Sequence, residues 1–162
     1  MGKTASIASV WVQFLKEKLR SAEDDIEQLS HEKSAAVLVL FMLSSESGTG
    51  HLLLTKRTST VDSHKGQMSF PGGYREKSDK NWLETALREA REEVGIHTEQ
   101  VTVLGSLKPV LTKGEVTILP YVGVIQTQTK FILNQDEVEK TVLLPTEILM
   151  ARGLRPIQVR EE

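Results

Sequence analysis

The sequence predicts a single domain of mixed α/β class, and three observations lead to that fold class. The chain has 162 residues, the length of one domain, with 39% hydrophobic and 26% charged residues, as in ordinary globular proteins. Residues 35–43 form an unbroken apolar run rich in strand formers, whereas residues 82–94 carry apolar side chains at helical spacing. Strands before and after isolated helices indicate one main α/β core.

Composition excludes several classes of function. Lys and Arg number 20 against 22 Asp and Glu, so a formal net charge of −2 offers no basic excess for nucleic acid or anionic membrane. The absence of cysteine excludes disulfides, thiolate zinc sites and a cysteine nucleophile. No apolar run approaches the ~20 residues that cross a bilayer, and we find no signal peptide or peroxisomal tail. We therefore expect a cytoplasmic protein without nucleic-acid or membrane partners.

The first predicted element is an amphipathic helix from about Ser6 to Arg20. Its apolar residues recur at helical spacing, and a shorter helical piece is predicted near 25–29. An acidic stretch after the first helix favours packing on the domain surface over binding to an anionic bilayer. Residues 1–32 are therefore expected to form an N-terminal helical extension.

Strands follow this extension. The run at 35–43 is predicted to be a strand buried on both faces, and a second strand is predicted at 51–55 after a polar loop. A short strand at 67–70 ends at Pro71-Gly72-Gly73, a strong breaker of regular structure.

A second long helical pattern runs from 81 to 94. Ser78 or Asp79 is the predicted N-cap, and Gly95 stands where a helix C-terminal glycine belongs. The remaining elements are predicted strands at 101–107 and 115–125, an ambiguous segment at 136–140 and a short helix at 145–150.

Three glutamates stand out on this helix. At ~100° per residue, Glu89, Glu92 and Glu93 fall within an arc of roughly 100°. Glu89 and Glu93 lie at the edge of the apolar stripe, so we expect them to be partly shielded from water. They are one turn apart, where like charges destabilise a helix by a few tenths of a kcal/mol. A cation between them would remove the repulsion, and carboxylate oxygens suit Mg²⁺ or Mn²⁺. Glu84–Arg88 and Arg88–Glu92 are also i,i+4 pairs, so a charge-laced surface helix is the alternative.

The residues around these glutamates form a signature. Gly73, Asp79 and the segment 88–96, Arg-Glu-Ala-Arg-Glu-Glu-Val-Gly-Ile, closely resemble the Nudix box of glycine, an acid, then Arg-Glu-apolar-x-Glu-Glu-x-Gly-apolar. Asp79 stands where glutamate is usual, with one extra residue before the arginine. Members similar to coenzyme A diphosphatases have the same wider spacing, and segments 53–57 and 64–73 resemble that branch too.

The resemblance implies a Nudix-type α/β/α sandwich with a mixed β-sheet at residues 33–162, after the extension at 1–32. Members of the branch usually continue with another strand and a C-terminal helix, but only residues 146–162 remain here. We expect either that the N-terminal helix or a partner subunit covers that surface, or that the domain is incomplete at its C-terminal end. The expected assembly is a monomer or a homodimer.

The same resemblance implies hydrolysis of a small-molecule diphosphate with Mg²⁺ or Mn²⁺. Glu89 and Glu93 would be the principal metal ligands, with Glu92 completing or alternating in the cluster and the Gly73 carbonyl as a main-chain ligand. Arg88 would hold a glutamate in place through an ion pair.

The general base is left open by the family pattern. Glu89 and Glu92 on the helix are candidates, and so are Glu137 and Glu139, which follow a segment similar to an acid-bearing loop of some members. For Glu137 and Glu139, solvent-exposed loop acids are the alternative interpretation. Asp79 is expected to act through a metal-bound water or as a helix cap.

Four residues are candidates for substrate binding. Arg57, Lys56 and His64 would neutralise phosphate oxygens, with Arg57 favoured because its planar fork follows a strand. Gln67 is a neutral hydrogen-bonding candidate that can equally be structural.

The substrate implied is coenzyme A or an acyl derivative, cleaved to adenosine 3′,5′-bisphosphate and a 4′-phosphopantetheine product. That branch expects Ser or Ala after the arginine and a second arginine four residues later, where this chain has Thr58 and Asp62. Because Asp62 would repel a phosphate, ADP-ribose or a nucleoside diphosphate sugar is the alternative substrate. A nucleotide sensor without hydrolysis is the third hypothesis, which the retained box glutamates disfavour.

Overall fold

The computed structural model describes residues 7–21, 33–44, 50–59, 66–126 and 129–151. The helical piece predicted near 25–29 lies outside these residues. Within them, no helix has the length and apolar character needed to cross a membrane.

The described residues contain three α-helices, eight strands and a one-turn 3₁₀ helix at Thr98–Gln100. The helices are α1 (Ile7–Lys18), α2 (Trp82–Val94) and α3 (Thr146–Ala151). The strands are β1 (Ser34–Leu43), β2 (Gly50–Arg57), β3 (Met68–Ser69), β4 (Gly72–Tyr74), β5 (Thr102–Ser106), β6 (Val110–Leu111), β7 (Thr117–Gln126) and β8 (Val138–Pro145).

The strands form one mixed sheet around β1. Strand β1 pairs in parallel with β7 along its whole length, from Ser34 opposite Thr117 to Leu43 opposite Gln126. The pairings of β5 and β6 with β7, and of β8 with β2, are antiparallel. The predicted α/β fold with a mixed sheet is therefore confirmed.

Strands β1 and β2 diverge, and the segment 68–74 fills the gap between them. Strand β1 pairs with β2 only through residues 41–43, while its other end pairs with β4 through residues 35–37. Strand β3 pairs with the far end of β2. This insertion carries Gly72 and Gly73 across β1 toward α2. Gly72 is required there because a Cβ would lie 2.3 Å from the Ala36 carbonyl oxygen.

The core lies on both faces of the sheet. On one face α2 packs Ala86, Ala90 and Val94 against β1 residues such as Leu38 and Leu40, all of them buried. The opposite face buries Val39, Leu52 and Val122, with Leu19 packed on them from the residue after α1. Because neighbouring side chains of a strand point to opposite faces, an unbroken apolar run such as β1 buries both, as predicted.

The residues after α1 pair with the sheet edge. Arg20 forms an antiparallel bridge with Ser106 of β5, and both of its N–H···O hydrogen bonds are 3.0 Å long. Gly105 permits the approach, since a Cβ there would lie 2.4 Å from the Arg20 carbonyl oxygen. The predicted N-terminal helix is therefore present and is joined to the domain by main-chain pairing.

The predicted N-cap of α2 is wrong. Asn81 caps the helix, its side chain accepting a 2.8 Å hydrogen bond from the Glu84 N–H. Asp79 is buried and accepts hydrogen bonds from Arg88 and Thr85 instead. The predicted C-terminal glycine is confirmed, since Gly95 has φ 72° and its N–H donates to the Arg91 carbonyl.

Strands β4, β6 and β8 were not predicted. Strands β4 and β6 are three and two residues long and exist because β1 and β7 offer them pairing partners. The ambiguous segment 136–140 divides into a turn at 135–137 and the start of β8.

Candidate active site

Helix α2 presents its acidic residues at the edge of its apolar stripe. Glu93 is 2% exposed and follows the buried Ala90 by three residues. Glu89 is half-buried one turn earlier, whereas Glu92 is exposed. The apolar contacts of α2 with the sheet therefore direct two of the three predicted glutamates inward.

Arg88 joins the helix to the preceding loop. Its guanidinium donates to both carboxylate oxygens of Asp79 at 3.0 and 3.1 Å and to the Tyr74 carbonyl at 3.0 Å. Its Nη1 lies 3.0 Å from Glu89 Oε1 and 2.9 Å from Glu92 Oε2. Arg88 therefore contacts two glutamates, the kind of contact that the resemblance implies for it.

Asp79 is the buried anchor of this network. Burial alone would raise the pKa of Asp79, but hydrogen bonds from Arg88, the Glu76 N–H and Thr85 outweigh burial and lower it. Asp79 is thus ionised at neutral pH, and its charge pairs with the arginine. In the structure Asp79 accepts hydrogen bonds from Arg88 and does not cap α2.

Glu93 is a buried carboxylate with an unsatisfied oxygen. Its Oε1 lies 3.7 Å from Arg57 Nη1, and its Oε2 is buried without a hydrogen-bond partner. Burial, followed by the charge of Glu89, raises the pKa of Glu93 to about 8. Arg57 is the nearest cation to it, and the Arg57 Nε is also buried without a partner. A buried carboxylate oxygen without a donor is costly, so Glu93 is a candidate binding residue.

Gly73 lies directly against Glu89. A Cβ at position 73 would be 2.5 Å from Glu89 Oε1, so only glycine leaves room for the carboxylate. Burial is the largest cause that raises the pKa of Glu89, and the charges of Glu92 and Glu137 raise it further, while Arg88 lowers it. The structure thus brings the predicted main-chain ligand and one predicted side-chain ligand together.

The loop before β8 adds a third carboxylate. The Asn134 N–H donates to the Glu93 carbonyl at 3.0 Å, and the Thr58 N–H donates to the Glu137 carbonyl at 2.9 Å. Through these contacts the end of α2 and the end of β2 hold Glu137 near Glu89 and Glu93, where its charge raises the pKa of both, in addition to burial. We call Glu89, Glu93, Glu137 and Arg57 the acidic site.

Lys56 and Glu139 lie elsewhere. Side chains alternate along β2, so Lys56 shares a face with Leu52, whereas Arg57 lies on the face covered by α2. A bulge in β8 leaves Glu139 as the extra residue opposite β2, and its carboxylate lies 2.8 Å from Lys56 Nζ. The structure does not bring these two predicted site residues to the acidic site.

The other predicted substrate residues are only partly described. Gln67 accepts a 3.0 Å main-chain hydrogen bond from Arg57 through its carbonyl, and its side chain is exposed. His64 and Asp62 lie outside the residues that the structure describes.

The acidic site fits a hard divalent cation in its chemistry. The atoms that its three glutamates could offer to a metal are all oxygens, and Glu93 Oε2 has unused acceptor capacity. In the described ranges, however, no three acidic or histidine side chains converge closely enough to hold a metal as placed. Glu92, 45% exposed, pairs with Arg88 and does not complete a group with Glu89 and Glu93. The predicted three-glutamate ligand set is therefore not assembled in this arrangement.

Sequence reasoning gave no positioning role to Asn134 or Thr58. Asn134 contacts both α2 and the Glu137 side chain, and the Thr58 hydroxyl donates to the Asp136 carbonyl at 3.0 Å. The only available signal was the Asn-x-Asp pattern at 134–136, which is typical of an Asx turn.

Comparison with known proteins agrees with the motif. A model of the NUDIX domain matches residues 32–160. The uncharacterized Nudix hydrolase NudL of Pectobacterium atrosepticum is 41% identical over 122 residues, which cover 75% of this chain and 62% of that protein. Nudix hydrolase 15, mitochondrial, of Arabidopsis thaliana is 33% identical over 148 residues, 90% of this chain and 51% of that one. The chain spans about half to two thirds of these relatives' length.

Solved structures share the fold. A C. elegans Ap4A hydrolase binary complex superposes with a TM-score of 0.58 at 18% identity, covering 72% of this chain and 83% of that one. A Nudix hydrolase from M. smegmatis, RenU, has a TM-score of 0.58 at 23% identity and covers 76% of both chains. The domain match, together with the glycine, acid and glutamate residues that surround the acidic site, shows that this chain belongs to the Nudix family.

Proposed function

We propose that this protein is a metal-dependent Nudix hydrolase that cleaves the diphosphate linkage of a small molecule. The acidic site carries the proposal: Glu93 keeps a buried oxygen without a partner, beside Glu89 and Glu137 and next to Arg57. A structural ion pair would satisfy its oxygens, whereas a binding site leaves them available.

Mg²⁺ or Mn²⁺ is the proposed cofactor. Glu89, Glu93 and the Gly73 carbonyl would hold it, with Glu92 as an alternating ligand. A bound divalent ion would neutralise the anionic oxygens that make a diphosphate resistant to nucleophiles. Arg57 would contribute a second, fixed positive charge to the substrate, because its side chain is 24% exposed at the site.

Glu137 is the proposed general base. It is half-buried beside the two helix glutamates, and its main chain is held by β2. In that position its carboxylate can accept the proton of an attacking water. Glu139 is on the opposite face and pairs with Lys56, so the two loop acids have different roles in this proposal. Arg88 would keep Glu89 oriented without contacting substrate.

Coenzyme A or an acyl derivative is the proposed substrate, cleaved to adenosine 3′,5′-bisphosphate and a 4′-phosphopantetheine product. The segments 53–57 and 64–73 and the spacing of the box support this choice, since they resemble the coenzyme A diphosphatase branch. Asp62 favours ADP-ribose or a nucleoside diphosphate sugar as the second candidate, because it replaces a cation of that branch with an anion.

A substrate panel tests the proposal. The purified protein is incubated with Mg²⁺ and coenzyme A, ADP-ribose or UDP-glucose, and the products are separated by chromatography. Adenosine 3′,5′-bisphosphate from coenzyme A is the expected result, and turnover confined to the sugar nucleotides would reject coenzyme A. Binding without turnover of any compound would favour a nucleotide sensor. The cytoplasmic location and the monomer or homodimer assembly stay predictions.

A further inference from the structure

We propose that Asn134 is a positioning residue that holds the Glu137 carboxylate in the acidic site. The inference rests on the proposed function, because it concerns the residue that would act as general base. Asn134 Nδ2 lies 3.2 Å from Glu137 Oε1 and donates to it. This contact is a side-chain hydrogen bond between two residues of the same turn.

The same asparagine joins the turn to α2. Its main-chain N–H donates to the Glu93 carbonyl, one of the carbonyls that a helix end leaves without an internal partner. Its side-chain Oδ1 accepts from the Asp136 N–H at 3.2 Å, and its carbonyl accepts from the N–H groups of Glu137 and Val138. Asn134 therefore contacts both the main chain of Glu93 and the side chain of Glu137.

Charge explains why this carboxylate needs a donor. Burial is the largest cause that raises the pKa of Glu89, and the charge of Glu137 raises it further, so these two carboxylates repel each other. Thr58 holds the main chain of the turn, through its N–H to the Glu137 carbonyl and its hydroxyl to the Asp136 carbonyl. The Asn134 amide supplies a neutral donor, so it orients the carboxylate without pairing its charge.

The decisive variant is Asn134→Asp. Aspartate keeps the oxygen that accepts from the Asp136 N–H, so the turn is retained, but it replaces the amide donor with a second carboxylate. Gln135→Glu is the matched control, because it adds the same charge one residue later at an exposed position. We expect Asn134→Asp to lower kcat about 10- to 100-fold with little change in KM, and the control to leave both unchanged.

A double-mutant cycle separates positioning from a general structural role. If Asn134 acts through Glu137, Asn134→Asp causes no further loss of kcat in a Glu137→Gln background. An equal loss in both backgrounds, or a wild-type kcat for Asn134→Asp, would overturn the proposal.

Thermal unfolding provides a readout that does not need activity. We expect Asn134→Asp to lower Tm more than Gln135→Glu does, and Glu137→Gln to restore it, because the new amide can donate to the introduced carboxylate. Additive Tm changes would overturn the contact. A wild-type protein that cleaves none of the panel compounds would overturn the proposed function, and the Tm cycle would then still support or reject the Asn134 contact.

Discussion

Lys56 and Arg57 are neighbours on β2, but they pair with carboxylates on opposite faces of the sheet. Arg57 faces Glu93 on the α2 side, where Glu93 is 2% exposed and its pKa is raised to about 8, chiefly by burial. Lys56 pairs with Glu139 on the other side, where the hydrogen bond from Lys56 lowers the pKa of Glu139. Neighbouring residues in sequence thus occupy environments of different polarity.

The difference between Glu93 and Glu139 indicates which carboxylates can bind a cation or a proton. An exposed carboxylate with its own lysine is satisfied and screened by water, so it contributes little to stability or to function. A buried carboxylate with an unused oxygen gains most from a cation or a proton. Four predictions test whether this contrast between the acidic site and the Lys56–Glu139 pair holds.

The largest effect is expected for Glu93→Gln. Glutamine keeps the shape of the side chain but removes the charge that would hold the metal. We expect kcat to fall at least about 10³-fold, since a catalytic metal supplies several kcal/mol of charge stabilisation. The assay is turnover at saturating Mg²⁺, with Mn²⁺ affinity measured by calorimetry and folding by circular dichroism. A folded, fully active variant would mean that the metal assignment is wrong.

Glu137→Gln and Glu139→Gln are compared directly, because each removes one of the two candidate general bases. Loss of a general base costs about 10²- to 10⁴-fold in kcat, which we expect for Glu137→Gln. Glu139→Gln should keep activity within about twofold, because its carboxylate lies on the other face of the sheet. Both variants are compared by kcat under identical conditions, and the reverse ranking would transfer the base role to Glu139.

Stability without metal should depend on the ionisation of Glu93. Its pKa is about 8 in the folded chain against 4.5 for an unperturbed glutamate, so both states hold the proton below pH 4.5. Between these values only the unfolded state releases it, and the wild type should lose about 2–5 kcal/mol relative to Glu93→Gln as pH rises to 8. Urea unfolding in EDTA at several pH values measures this difference. A constant difference would show that Glu93 is not held protonated.

A smaller loss than for Glu93→Gln or Glu137→Gln is expected for Gly73→Ala. The added Cβ would lie 2.5 Å from Glu89 Oε1 and must displace that carboxylate, so we expect kcat or metal affinity to fall about tenfold. Gly114→Ala is the control, since its nearest neighbour would be Thr112 Oγ1 at 3.9 Å. Equal activity of the two variants would contradict the contact between Gly73 and Glu89.

The sequence predicted the long elements and the inward glutamates for one reason. The apolar stripe of α2 and the apolar run of β1 are periodic signals, and a periodic signal states which face is buried. The edge of the α2 stripe therefore indicated that Glu89 and Glu93 are shielded. Strand β6, with two residues, has no such signal, because its pairing partner supplies its geometry.

Local sequence patterns leave the proposed base and the helix cap undecided. Glu137 and Glu139 are equivalent in sequence, but Glu137 lies in the turn that Thr58 and Asn134 hold, whereas Glu139 is the extra residue of the β8 bulge and pairs with Lys56. Asp79 is as good an N-cap residue as Asn81 by type, but Arg88, nine residues later, takes its carboxylate.

Sequence alone determined the family, the α/β class and the residue types that can bind a cation, because these depend on composition, periodicity and a contiguous motif. Only tertiary structure decided which carboxylates share a buried volume, because dielectric environment and the distance between charges depend on packing between segments far apart in the chain. Glu93, Arg57 and Glu137 come from a helix, a strand and a loop, and the sheet brings them together.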